Sequence, residues 1–211
     1  MHTLEVISSA LYQKWQYKNL LQCCLILLLC HNFYACSSIV AATASGPIEE
    51  DLGERTLGTI VEDNTIEAKA QSAISQAYDR IGESHINVHA FNKTLLITGQ
   101  VPTAKAKQLV STLTQNIRHV KRVHNELEIL SASSFSQRMR DNFLSGKVSS
   151  RLVLTDGIDS DRIDTIIENR SVYLMGLVTQ EEASRSVAAL QQVSGLKKIV
   201  RVFEYIDNQT N

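Results

Sequence analysis

Apolar positions along this chain follow a helical period, then a strand period, then a helical one again, and the whole order is run through twice. In the first pass Ile66, Ala70, Ala73 and Ile74 recur at helical spacing after Asn64, a side chain suited to capping a helix start. INVHA (86–90) and TLLIT (94–98) then alternate around Phe91-Asn92-Lys93, which predicts a hairpin because Asn tolerates the positive φ of a tight turn. Pro102 suits the first turn of a second helix, whose inner face is Ala106, Val110, Leu113 and Ile117. A last strand runs from Val120 to Leu130.

The second pass repeats this plan. A strand Asp161–Ile167 turns at Glu168-Asn169-Arg170 into Ser171–Leu177. Thr179 and Glu182 then form a capping box for a helix with Ala183, Val187 and Leu190 inside, closed by Gly195 and followed by strand Ile199–Ile206. Ile86–Asn116 lies without a gap on Ile163–Val193, with Asn92/Asn169, Gly99/Gly176, Val101/Val178 and Val110/Val187 among the identities. A one-residue gap later pairs Val123 with Ile199 and Leu127 with Phe203. The chain therefore holds a duplicated unit of about 70 residues. The fold class is α+β, two tandem helix-strand-strand-helix-strand units, each with two helices on one face of a small three-stranded mixed sheet. Gly99 and Gly176 stand where strand meets helix in both copies, a corner that calls for close backbone approach or a special φ/ψ.

The N-terminal end reads differently. Lys14 and Lys18 precede an apolar run from Leu20 to Cys30, too short to span a bilayer and suited to a secretory signal. Ala35-Cys36 then resembles a bacterial lipoprotein processing site, in which the cysteine becomes residue one and carries acyl chains. The alternative is an ordinary signal with an incidental cysteine. Cys36 is the last cysteine, so the remainder has no disulfide framework. Residues 37–63 carry six acids against one base, Arg55, and read as a flexible tether. The expected division is 1–35 signal, 36–63 tether, 64–132 first unit and 133–211 second unit.

Catalytic chemistry is not encoded in any recognisable form. The six histidines include no HExxH, and His85 and His89 share one strand side with solvent-exposed neighbours. There is no GxSxG and no phosphate-cradling loop. Asp156, Asp159, Asp161 and Asp164 miss the EF-hand spacing. No enzyme, cofactor or metal is expected. Neither half is basic enough to call for nucleic acid, and the GXXG clamp and aromatic platform of small RNA-binding modules are missing.

The paired units, the strand–Gly–Val–helix corner, the preceding hairpin and the lipoprotein-like start together resemble the BON domain family, specifically its dual-BON outer-membrane lipoproteins of Gram-negative bacteria. VYLMGLVTQEEASRSVAALQQVSGLKKIVRVFEYI (172–206) carries most of the likeness. The resemblance implies a non-enzymatic protein held at the inner leaflet of the outer membrane, facing the periplasm. It implies binding of anionic phospholipid of the phosphatidylglycerol kind through the second domain, and support of envelope integrity.

The copies differ in their first helices. Aligned on Lys69 and Lys147, the second copy has Leu144, Val148 and Leu152 facing inward, while Phe143, Lys147 and Arg151 recur every four residues with Arg140 just before. An aromatic among cations suits an interfacial lipid contact, the ring entering the headgroup boundary and the cations meeting phosphates. The expected lipid-binding set is Arg140, Phe143, Leu144, Lys147 and Arg151, with lipidation at Cys36. The alternative is a protein-interaction scaffold for outer-membrane assembly or cell-division machinery.

Overall fold

The computed structural model describes residues 53–77 and 83–207. The first copy comprises α1 (Leu57–Ala77), β1 (His85–Phe91), β2 (Thr94–Val101), α2 (Ala104–Gln115), β3 (Arg122–Asn125) and β4 (Glu128–Ile129). The second comprises α3 (Phe135–Val153), a short 3-10 turn Ser160–Arg162, β5 (Ile163–Glu168), β6 (Ser171–Val178), α4 (Gln180–Leu190) and β7 (Lys198–Tyr205). In each, the hairpin pairs antiparallel and the last strand returns parallel to the second, so β2 and β6 are central.

Both hairpins turn on two residues in the left-handed region, Asn92-Lys93 (φ 46° and 67°) and Asn169-Arg170 (φ 47° and 63°). Such turns match the twist of the flanking strands, which fixes the register. A buried carboxylate from the first helix holds each turn. Asp63 accepts from the Asn92 and Lys93 backbone N–H groups at 2.9 and 2.8 Å. Asp141 accepts from those of Asn169 and Arg170 at 2.8 and 2.9 Å.

Four boundaries differ from the sequence expectation. Helix α1 starts at Leu57, where Thr56 Oγ1 accepts from Thr59 N–H at 3.2 Å, so Asn64 is interior and Leu57–Asp63 are helix rather than tether. Helix α2 is capped by Thr103, one residue beyond Pro102. The last strand of copy one is broken at Glu126–Leu127, because Leu127 turns into the core. Gln191 caps α4, and Gly195 (φ 104°) lies in the loop after it. The expected Cys36 and signal lie outside the described residues.

Each copy buries its own core between helices and sheet, with Ile66, Ile74, Leu95 and Ile97 in one and Val148, Leu152, Leu174 and Leu190 in the other. A third core joins them: Phe91 and Leu96 of copy one pack with Tyr173, Met175, Leu177 and Val202 of copy two. The two sheets thus meet face to face with the helices outside, in one compact unit. Every residue of β2 and β6 is buried, because helices cover one face and the other copy covers the second.

Polar pairs around this seam obey the duplication. Asn92 donates to Glu204 at 3.0 Å while its counterpart Asn169 donates to Glu128, the counterpart of Glu204, at 2.6 Å. The cation pairs follow it only in part: Arg122 pairs with Glu204 at 3.2 Å, whereas its counterpart Lys198 pairs at 3.2 Å with Glu126 rather than Glu128. Two further positions break the equivalence. Glu168, where copy one has Phe91, is buried and accepts from Gln100 at 2.7 Å and Asn87 at 3.0 Å. Arg55 lies 3.9 Å over the Phe91 ring and pairs with Asp63 at 3.0 Å and Asp164 at 3.3 Å.

This packing corrects the reading of β1. His85 and His89 point with Asn87 and Phe91 toward the other copy, not toward solvent: His85 Nε2 lies 3.4 Å from Glu168. Burial holds His89 below the ordinary histidine range, outweighing the upward pull of Glu67, Asp164 and Glu168. A folded-state pKa below the unfolded one means the unfolded chain binds more protons, so this contribution is full above about pH 6.5 and is lost as pH falls below it. Urea midpoints measured at pH 7.5 and 5.5 should therefore differ, and His89→Gln should narrow the difference. An unchanged difference would mean His89 does not report on the seam.

Candidate functional site

Helix α3 opens with a full capping box: Ser134 Oγ accepts from Gln137 N–H, and Gln137 Oε1 accepts from Ser134 N–H at 2.7 Å. Asp141, Leu144, Val148 and Leu152 form its buried side. With Asp141 bound to the β5–β6 turn, the opposite side must face outward, and it is apolar. Phe135, Met139 and Phe143 are 72%, 51% and 67% exposed and recur every four residues.

The expected site residues separate into three groups. Phe143, Lys147 and Arg140 are exposed, and Lys147 Nζ lies 5.1 Å from the centre of the Phe143 ring. Leu144 is a correction: it is 3% exposed, because it shares the turn of helix that carries Asp141 and Val148 inward, and it belongs to the core. Arg151 also has another task. Its Nε donates to the Ala189 carbonyl at 3.3 Å and its Nη2 to Gln192 Oε1, so it ties α3 to the end of α4.

Phe135 and Met139 were missed from sequence although they share the four-residue spacing of Phe143. The first turn of α3 holds only Phe135 as a large apolar residue, so its start left no inward-facing pattern to find. The counterparts of Phe135 and Met139 in copy one are Leu57 and Val61, which are also exposed, at 83% and 65%, on the opposite outer layer. Thr65 replaces the Phe143 ring there.

Charge is one-sided. Helix α3 carries Arg138, Arg140, Lys147 and Arg151, and its one acid, Asp141, is turned inward. Arg138 donates to the Ser133 carbonyl at the helix start. Among the described residues no group of three or more His, Cys, Asp or Glu side chains is placed to hold a metal ion. Asp159 caps Asp161 and pairs with Arg162, and Asp164 pairs with Arg55. No described helix is long and apolar enough to cross a membrane.

Residues 62–131 and 140–207 each match the BON domain model, together covering more than half the chain. The chain is a BON-domain protein. Its two BON domains are the two copies described above. Over 185 residues the chain is 29% identical to the outer membrane lipoprotein DolP of Haemophilus influenzae, covering 87% of this chain and 96% of that protein. It is 26% identical over 152 residues to a 21 kDa hemolysin of Actinobacillus pleuropneumoniae, covering 72% and 78%. Among solved structures it aligns with CdsD, a structural protein of the type III secretion system of Chlamydia trachomatis, at a TM-score of 0.28 and 12% identity, covering 69% of this chain and 94% of that one.

Proposed function

We propose that this BON-domain protein is a non-enzymatic lipoprotein of the outer membrane, facing the periplasm, that binds anionic phospholipid through α3 and supports envelope integrity. One observation carries the reading: an exposed Phe135–Met139–Phe143 stripe flanked by the outward cations Arg140 and Lys147, with no acid on that side. Rings and thioether enter the acyl boundary while the cations stay at phosphate depth. The relative named as an outer membrane lipoprotein supports the compartment, and acylation at Cys36 supplies the anchor. Each cation near an anionic surface adds about 1 kcal/mol, so α3 sets orientation and preference for anionic patches rather than attachment.

Cosedimentation of residues 37–211 with phosphatidylglycerol-containing and with neutral phosphatidylcholine vesicles tests this, alongside a mass spectrum of the mature N-terminus for acylated Cys36. Phe143→Ser should weaken binding to the anionic vesicles about tenfold, since one large apolar side chain no longer leaves water. Equal binding to both vesicles, or no loss in the variant, would sink the claim. A second reading, a scaffold for assembly or division proteins, is favoured by the exposed Leu57 and Val61 on the opposite layer. A crosslinked envelope partner recovered without lipid dependence would support it.

A further inference from the structure

A second difference between the copies lies at the other end of the helical layer, where the loop after α4 enters β7. In copy one, Asn125 ties strand to helix: its Nδ2 donates to the Lys107 carbonyl at 2.9 Å and to Ser111 Oγ at 2.7 Å. Strand pairing makes Arg201 its counterpart, since Asn125 sits beside Ile97 and Arg201 beside Leu174. The helical partners have changed as well. Ser111 is replaced by Ala188, and the counterpart of Lys107 is Ser184, whose hydroxyl bonds back to the Gln180 carbonyl at 2.8 Å. The tie is gone, and a groove of about 460 Å³ lies between α4 and β7.

Its lining divides by chemistry. Val187, Leu190, Val193, Leu196 and Ile199 form the floor, and Lys197, Lys198 and Arg201 form the rim. Lys198 pairs with Glu126 at 3.2 Å, whereas the Lys197 ammonium and the Arg201 guanidinium have no partner among the described residues. No acid lines the groove.

The carbonyl end of a helix ordinarily repels an anion. Here Arg151 donates to the Ala189 carbonyl at 3.3 Å in the last turn of α4 and Arg170 Nε to the Gly195 carbonyl at 2.7 Å in the loop that follows, so guanidinium groups offset two of the carbonyls at this end. The size suits a small-molecule site, and an apolar floor below a cationic rim matches an anion bonded to an apolar chain.

We propose that the α4–β7 groove of the second BON domain binds one anionic phospholipid molecule, its phosphate against Lys197 and Arg201 and the first methylenes of one chain over Leu190, Leu196 and Ile199. This site is separate from the exposed face of α3 and shares with it only the ligand class. Arg151 connects the two as a positioning residue.

The test is photo-crosslinking of the full chain in phosphatidylcholine vesicles doped with diazirine-bearing phosphatidylglycerol, the adducts being mapped by mass spectrometry. Adducts are expected both on residues 135–147 and on 187–201. The double variant Arg201→Asn with Ala188→Ser rebuilds the tie of copy one, and should lower the 187–201 adducts about fivefold, the factor expected for one cation at an anionic surface, while sparing those on α3. Lys197→Gln serves as a second variant that leaves the helix–strand contact alone. Phe143→Ser should deplete the 135–147 adducts and leave the groove adducts, so the two sites fail separately.

Four results would overturn the proposal: no adduct within 187–201 while α3 is labelled; equal labelling by diazirine phosphatidylcholine; labelling abolished by millimolar inorganic phosphate, which would mark a simple anion site; or labelling unaffected by both groove variants. So would a discrete protein adduct in cells from benzoylphenylalanine at Gln191, which would make the occupant a polypeptide.

Discussion

Gly99→Ala should leave copy one unable to close its hairpin onto α2, at a cost on the order of 4 kcal/mol. Two effects act together. Gly99 sits at φ 117°, where a side chain strains the backbone, and a Cβ there would lie 1.9 Å from the His85 carbonyl oxygen of the paired strand. Moving β1 away would in turn break its packing on α1 and the seam to copy two. Gly176→Ala makes an informative control. Its Cβ would meet the Arg162 carbonyl oxygen at 2.5 Å, but Gly176 is not in the left-handed region, so its cost should be smaller, about 2–3 kcal/mol. Urea unfolding of the two variants decides the matter. Equal costs would mean that the φ at Gly99 contributes nothing and the close approach alone requires glycine.

Asp63→Ala should be nearly as damaging, about 3–5 kcal/mol by the same measurement. The carboxylate is buried at 1% exposure, and its loss orphans the Asn92 and Lys93 N–H groups and leaves the Arg55 guanidinium with one fewer acid. Arg55 also stacks on Phe91 and pairs with Asp164, so the damage should spread to the seam. Asp141→Ala removes the matching bonds to Asn169 and Arg170 without a matching ion pair, and should cost less, about 2–4 kcal/mol. A cost below about 1 kcal/mol at either position would mean that the left-handed turns stand unaided.

What could be read beforehand was whatever short-range periodicity encodes. The hairpins, their Asn turns and the corner glycines stand in local pattern, and the identity of the two copies doubled the signal. The start of α1 could not be read because Leu57 and Val61 lie on an exposed face, out of register with the inner positions Ile66, Ala70 and Ile74, while the one buried residue of Thr56–Asp63 is Asp63. The pairing of Asp63 with Asp141 was visible at the same offset that aligns Lys69 with Lys147, and their burial was not, because an aspartate in a helix ordinarily faces water. His85 and His89 were misplaced for a related reason: an alternating strand reveals two faces but not that a second sheet covers the polar one. The outward placement of Phe143, Lys147 and Arg140 was legible in their helical spacing. Arg151 was not, since its partners Ala189 and Gln192 are distant in sequence.

The reciprocal pairs Asn92–Glu204 and Asn169–Glu128 are what two identical subunits would make across a two-fold axis. This chain carries its own dimer. Because both halves are covalently joined, their association does not depend on protein concentration, and it survives at the low abundance where a free pair would dissociate. Once the halves could no longer exchange, each was free to change alone. Glu168 opposite Gln100, Arg55 over Phe91, the α3 stripe and the open α4 groove are substitutions that a symmetric assembly would have had to accept twice.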